Sequence, residues 1–439
     1  MKLSKNRVYI IYLISCIGIT AGICVGQILG KQLITLFMLL MFLILVVIAA
    51  WQKEITPILL FFLPWSTILK LSPESVSFFT IALLLSCGIR TIKFRFSLKF
   101  KCLMLAMFIL SETLLVKCIN NSDITFDYLM FIFMLFFFPI MIGEIDNTVD
   151  YKILTFFFSC GIICAALSAK KFANYPNIEN YINVYKWNGI IRFSGYYGDS
   201  NFYSAQISAA LSGTLLLILE NEKWKDKIIS VLLSLVLLFC GLMSASKTFV
   251  FVTIITGAVW AITALSIKNS KNIRVSLLLG IGLSLGYIFS SSVFSNLLKV
   301  IVLRFSNISD VSSLTTGRTE LWAMYLQSFI DDLRLLLLGN GYTDIKLYGW
   351  GSHNTIIQSI YQFGIIGSTL LIFWFKACME EVTKGKSLKN STKYIMIIMI
   401  GAYFPWMALD MLYFDEFFLI PLYTIAGCSY FFARNNERY

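Results

Sequence analysis

The chain has 439 residues, of which 58% are hydrophobic and only 14% charged; its net charge is +12 and its mean hydropathy +0.78. This balance excludes a water-soluble globular domain, and with no folded basic domain in view it gives no support to a nucleic-acid partner. The positive charge reads instead as a membrane-topology signal.

Apolar runs recur along the whole length, each long enough to cross the ~30 Å hydrocarbon layer of a bilayer as a helix. They fall at about 8–29, 33–50, 55–69, 76–89, 102–117, 126–143, 152–169, 202–219, 228–244, 248–266, 275–291, 354–375, 394–410 and 416–432. Pro57 and Pro64 interrupt the third. The first run continues to Leu29 without a small-residue cleavage site, so it reads as a retained span. Short alternating segments of the β-barrel kind do not occur. The expected fold is an all-α polytopic transmembrane protein of about 12–14 spans, with residues 1–439 forming a single integral membrane domain.

Lysine and arginine set the orientation. With the N-terminus inside and the sides alternating, 23 of the 36 Lys and Arg face inward. They include Arg90/Lys93/Arg95/Lys99/Lys101 and Lys376/Lys384/Lys386/Lys389/Lys393. Both termini are therefore expected in the cytoplasm. The ten cysteines contain no Cys-x-x-Cys pair, and Cys160 and Cys164 share a helix face as packing residues commonly do. Phosphate-binding glycine loops are absent too, so no cofactor, metal or nucleotide hydrolysis is expected.

This topology leaves two long segments outside, 170–201 and 292–353, and loops of such length in a compact domain are functional or disordered. The first ends in Trp187-Asn188-Gly189-Ile190-Ile191-Arg192-Phe193-Ser194-Gly195-Tyr196-Tyr197-Gly198-Asp199-Ser200-Asn201. Its glycines, aromatics and single arginine suit a sugar or phosphate site, and equally an aromatic belt at the membrane interface. In the second, Leu321, Trp322, Tyr325, Leu326, Phe329, Ile330 and Leu333 recur at helical spacing between Arg318 and Arg334. This spacing predicts an amphipathic helix capped by Thr315 or Thr316, with Arg318 in its first turn, where an anion is favoured. An arginine reaching for lipid phosphates is the alternative. Lys247, in the short turn Ser244-Ala245-Ser246-Lys247-Thr248, and Arg304 lie on the same side. Convergent cations of this sort hold a diphosphate without a metal.

His353 is the only histidine and lies in a polar Gly-Ser-His-Asn break at the lip of an apolar span. An imidazole, with an ordinary pKa of about 6.5, serves as a general base near neutral pH. Asp199 is a second candidate base.

Three stretches in this order resemble the O-antigen polymerase and O-antigen ligase superfamily of polysaccharide-assembly membrane proteins. They are Arg192…Gly195…Asp199-Ser200-Asn201, the Ser244-Ala245-Ser246-Lys247 turn, and Gly317-Arg318…Leu321-Trp322…Gly339…Gly341…His353-Asn354…Gly364-Ile365-Ile366-Gly367. The resemblance covers about residues 190–370. Family members often carry Ser-Arg-Gly in the short turn; Lys247 keeps the charge and loses the arginine fork.

The resemblance implies a GT-C-like fold and a metal-independent, inverting glycosyltransferase of the bacterial inner membrane. Its substrate would be an oligosaccharide on undecaprenyl diphosphate, with chain-length regulator and flippase proteins as partners beside the lipid bilayer. On this reading Arg192, Arg304, Arg318 and Lys247 hold the diphosphate, and His353 takes the acceptor proton. Asp199, Asn201 and Asn354 belong to the substrate site, and Trp322, Tyr196 and Tyr197 are candidates to stack on sugars. A polymerase of capsule, exopolysaccharide or O-antigen repeat units is the first expectation. A ligase-type transferase and, in another class, a lipid-linked oligosaccharide transporter are the alternatives.

Overall fold

The computed structural model describes residues 5–94, 100–145, 150–175, 177, 181, 185–187, 190–197, 199–221, 223–266, 299–303, 305–306, 315, 317–343, 347–383, 392–413 and 418–434. It is an all-α polytopic membrane protein. Nine helices among the described residues are long and apolar enough to cross a bilayer, with shorter apolar helical segments at Ile55–Trp65, Thr392–Tyr403 and Leu419–Phe431. The expected span at 275–291 lies outside the described residues. Ile14, Leu33, Phe37, Ile254, Ile262 and Ile372 stand exposed on these helices. Exposed apolar surface on this scale has hydrocarbon as its natural solvent.

The helices sort into two compact units. The first takes residues 1–95, 148–301 and 389–402. It contains α1 (Lys5–Ile28), α2 (Gln32–Trp51), α3 (Ile55–Phe62), α4 (Phe78–Phe94), α7 (Tyr151–Phe172), α8 (Ser200–Glu220), α9 (Trp224–Met243) and α10 (Lys247–Ser266). The prolines noted above shorten α3, which passes into a 3₁₀ turn at Leu63–Trp65. Every residue of α3 is buried, and it packs on α7. Almost all of α8 is buried as well, including Ser204, Gln206, Ser208, Ser212 and Thr214, so it is the central rod of this unit. A two-stranded antiparallel ribbon, β1 (Tyr185–Trp187) and β2 (Ile190–Arg192), precedes α8, with Tyr185 opposite Arg192. Asn188-Gly189 between two apolar runs is the sequence signal for such a hairpin, and hydropathy alone misses it.

The second unit takes residues 96–147, 302–388 and 403–439. It contains α5 (Phe100–Asn120), α6 (Phe126–Ile145), α11 (Arg318–Asp331), α12 (Leu333–Leu338), α13 (Thr355–Thr383), α15 (Phe404–Met407) and α16 (Leu419–Arg434). The helix between them in sequence, α14 (Thr392–Ile398), belongs to the first unit. Two expectations about α11 change. Its N-cap is Gly317 at φ 78, while Thr315 Oγ1 accepts from Thr319 N at 3.4 Å and lies 3.2 Å from Thr319 Oγ1, and Thr316 lies outside the described residues. The helix also stops at Asp331, because the Asp332 carboxylate accepts from Arg334 N and Leu335 N and opens α12.

The apolar residues of α11 divide between two faces. Tyr325 and Phe329 are buried with Leu335, Ile357 and Tyr361, and Leu321 and Trp322 pack against them. Leu326 and Ile330 stand exposed, as does Leu333 at the start of α12. The inner face thus docks α11 onto the start of α13.

That start is a separate segment, because α13 is broken at Gly364, where φ is 62 and ψ −174. The loop Gly339–Thr343 pairs with the break. Asn340 N donates to Tyr361 O (2.9 Å), and Gly341 N to Gln362 O (2.9 Å). The Gln362 amide accepts from Thr343 N and donates to Thr343 O. Glycines 339, 341 and 364, noted separately in the sequence, therefore belong to one crossing.

Candidate functional site

In the second unit the site is built on the stretch Gly351–Thr355, which leads into α13. Asn354 Oδ1 accepts from Ile356 N (2.9 Å) and Ile357 N (3.3 Å), so its side chain caps α13. Immediately before it, His353 has a left-handed backbone at φ 48. A β-carbon makes that conformation costly, roughly 1–3 kcal/mol, so other contacts must hold it.

Asp410 supplies them. Its Oδ2 accepts from His353 N at 2.7 Å and lies 3.5 Å from His353 Nδ1. Its Oδ1 accepts from the Ser352 hydroxyl at 2.5 Å. The Asp410 side chain is 9% exposed and that of His353 37% exposed. The carboxylate is thus enclosed while the imidazole reaches the surface, and contact through Nδ1 turns Nε2 away from Asp410.

The segment carrying Asp410 is strapped across the start of α13. Thr355 Oγ1 donates to Leu409 O, Leu412 N donates to Gln358 Oε1 (3.1 Å), and the Tyr342 hydroxyl donates to Leu412 O. Arg318 joins the same strap, because its Nη1 donates to Ala408 O at 3.1 Å. One turn along α11, Trp322 Nε1 donates to Ser352 O at 2.9 Å, which fixes one edge of the indole. The structure thus ties Arg318, Trp322 and His353 to two short segments, 351–355 and 408–412.

Tyr325, a further turn along, accepts from Leu347 N (3.3 Å) and donates to Trp350 O (2.7 Å). Burial pushes its hydroxyl pKa up to about 12, so it stays a donor across the physiological range. Tyr325→Phe leaves both backbone partners without it. The expected cost is about 1–3 kcal/mol, seen as a lower midpoint of thermal unfolding in detergent. A midpoint equal to that of the wild type would show that water replaces the hydroxyl.

The first unit holds the other named residues. Asp199 Oδ1 accepts from Asn201 N (2.6 Å) and caps α8. Asn201 Oδ1 in turn accepts from Arg192 Nη2 (2.8 Å) and from the Ser246 hydroxyl (3.2 Å). Arg192 Nε donates to Ser244 O (3.3 Å), and the next residue, Phe193, donates from N to Met243 O. Arg192, Asn201 and the Ser244–Lys247 turn therefore form one cluster at the end of β2, with Lys247 opening α10. Ala245 in that turn has φ 47, a second held backbone of the kind found at His353.

Tyr196 is placed otherwise than the stacking role requires. Its ring is buried beside Trp65, with centroids 5.3 Å apart, and its hydroxyl is 2.7 Å from Ser168 Oγ. It pins the loop from within. Tyr197 lies parallel to Phe202, 5.8 Å away. Arg304 lies outside the described residues.

Two acidic residues were not singled out in the sequence. Asp410 sits at the end of an apolar run, where a carboxylate is costly enough to be a signal of function. Glu112 of α5 is the other. Its Oε2 lies 2.8 Å from where a β-carbon on Gly367 of α13 would be, and it has no hydrogen-bond partner among the described residues. No protein-family model matches the chain, and no characterised protein is significantly similar to it.

Proposed function

We propose that the chain is a polysaccharide polymerase of the O-antigen polymerase and ligase kind. It transfers a glycan from polyprenyl diphosphate onto a second lipid-linked repeat unit at the outer face of a bacterial inner membrane, with both termini cytoplasmic. The observation that carries this reading is the set of contacts at Asp410. One enclosed carboxylate holds the only histidine by backbone and ring, and Arg318 is bound two residues away on the same strap.

In the reaction, the acceptor hydroxyl oxygen attacks the anomeric carbon from the face opposite the diphosphate. The new glycosidic bond forms as the carbon–oxygen bond to the diphosphate breaks, and the leaving group departs with the electron pair. His353 Nε2 takes the acceptor proton, and Asp410 orients the ring and balances the imidazolium. The diphosphate is already a good leaving group, so the residues have to offset its growing charge, which suits the fork of Arg318. A flippase delivering the substrate and a regulator of chain length are the partners this activity calls for.

His353→Ala and Arg318→Ala test the reading in cells that depend on this chain for surface glycan. Each is expected to lower extension about 100-fold or more, leaving single repeat units in place of a ladder. Arg318→Lys keeps the charge without the fork and restores part of the ladder. An unchanged ladder in both alanine variants, with the protein still in the membrane, would sink the mechanism. Accumulation of long unattached chains would identify a ligase instead. Passage of labelled substrate across vesicles with no new glycosidic bond would identify a transporter.

A further inference from the structure

The second unit carries a groove toward the other end of α13 from His353. It lies between the first turns of α5 and the last turns of α13, and its volume is about 550 Å³. Phe100, Met104 and Phe108 recur every four residues on α5 and so form one ridge, about 12 Å long by helical rise. Phe373 faces that ridge from α13. Lys101 and Lys376 stand in the groove wall with exposed side chains. Both reach Glu380, at 2.6 and 4.0 Å, so two ammonium groups share one carboxylate. A net positive charge therefore remains at the mouth of an open apolar cleft.

We infer that this groove binds an anionic glycerophospholipid, with the phosphate at Lys101 and Lys376 and an acyl chain along Phe100, Met104, Phe108 and Phe373. Two observations select that occupant over a soluble anion or a second protein. The floor is apolar on both walls, which a free anion does not use. The rim is cationic, which neither a neutral lipid nor another basic copy of this chain satisfies. The positive-inside count assigns this end of the helices to the cytoplasmic leaflet, where anionic headgroups are concentrated. The inference is independent of the proposed transferase activity, and none of its residues belongs to the two clusters described above.

The test uses the full chain, reconstituted in vesicles of equal phosphatidylglycerol and phosphatidylcholine and re-extracted in mild detergent. Native mass spectrometry then counts the retained lipids. Wild-type protein is expected to retain phosphatidylglycerol in preference to phosphatidylcholine. Lys101→Gln and Lys376→Gln should each lower that preference about fivefold, as expected for one lysine near an anionic headgroup. Glu380→Gln, which frees both lysines, should raise it. Phe108→Ser with Phe373→Ser should lower retention of both lipids. An unchanged lipid ratio in the double lysine variant overturns the inference. So does displacement of the retained lipid by inorganic phosphate alone, or a Glu380→Gln variant whose preference falls.

Discussion

Replacing Asp410 with alanine is expected to slow glycan extension roughly 100-fold, close to the loss from removing His353 itself. The carboxylate does three things at once. It accepts from Ser352, accepts from the backbone of His353, and lies against the imidazole Nδ1. Without it, the His353 N–H loses its acceptor, at about 1–3 kcal/mol, and a contact that offsets a left-handed backbone of similar cost is gone. The stretch 351–355 then relaxes and the imidazole leaves its working position.

Asp410→Asn separates this role from mere structural support. The amide oxygen still accepts from His353 N, and the amide nitrogen can donate to the Ser352 hydroxyl, which has Asn354 O as a second acceptor; what is lost is the negative charge beside the imidazole. The expected result is normal insertion and thermal stability, an unchanged KM for the lipid-linked substrate, and kcat reduced about tenfold. A purely structural aspartate would move stability and leave kcat per folded molecule alone. Wild-type kcat in both variants would remove Asp410 from the reaction altogether.

Asp410 also shows where local pattern stops being informative. Nine of the expected membrane spans stand among the described residues as helices long and apolar enough to cross, because hydrocarbon imposes its length on each apolar run, while the runs at 55–69, 394–410 and 416–432 hold shorter helical segments. The cation cluster of the first unit was half readable. Arg192 and Lys247 stand out as outward cations and Asn201 follows from the family resemblance, but the acceptor roles of Asn201 Oδ1 and Ser244 O depend on a hairpin that hydropathy does not register. The pairing of Asp410 with His353 spans 57 positions, and no local periodicity encodes a contact of that range. Similarly, the expected helix through Arg334 ends early because one capping carboxylate, Asp332, outweighs continuous apolar spacing.

The second large effect is expected at the crossing of α13 with the loop after α12. A β-carbon on Gly364 would lie 2.2 Å from Leu337 O and 2.3 Å from Leu337 C; one on Gly339 would lie 2.4 Å from Gly364 N. These neighbours are backbone atoms, so no rotamer change relieves them. Both glycines also hold positive φ, 62 and 70. Gly364→Ala therefore combines a strained conformation with overpacking, about 3 kcal/mol together.

The strain should spread to the site, because the crossing seats Gly341 and Tyr342 on Gln362, and Tyr342 in turn holds Leu412 O, two residues from Asp410. Gly364→Ala and Gly339→Ala are accordingly expected to lower the unfolding midpoint by several degrees and to reduce extension with it. Gly349→Ala is the matched control. Its φ is also positive, at 79, but nothing lies within 4 Å of the new β-carbon, so it should lose only the conformational part, about 1 kcal/mol. If Gly364→Ala proves no worse than Gly349→Ala in thermal unfolding, then left-handed backbone alone accounts for these glycines. The close approach of the two chains would then be something the fold tolerates and does not depend on.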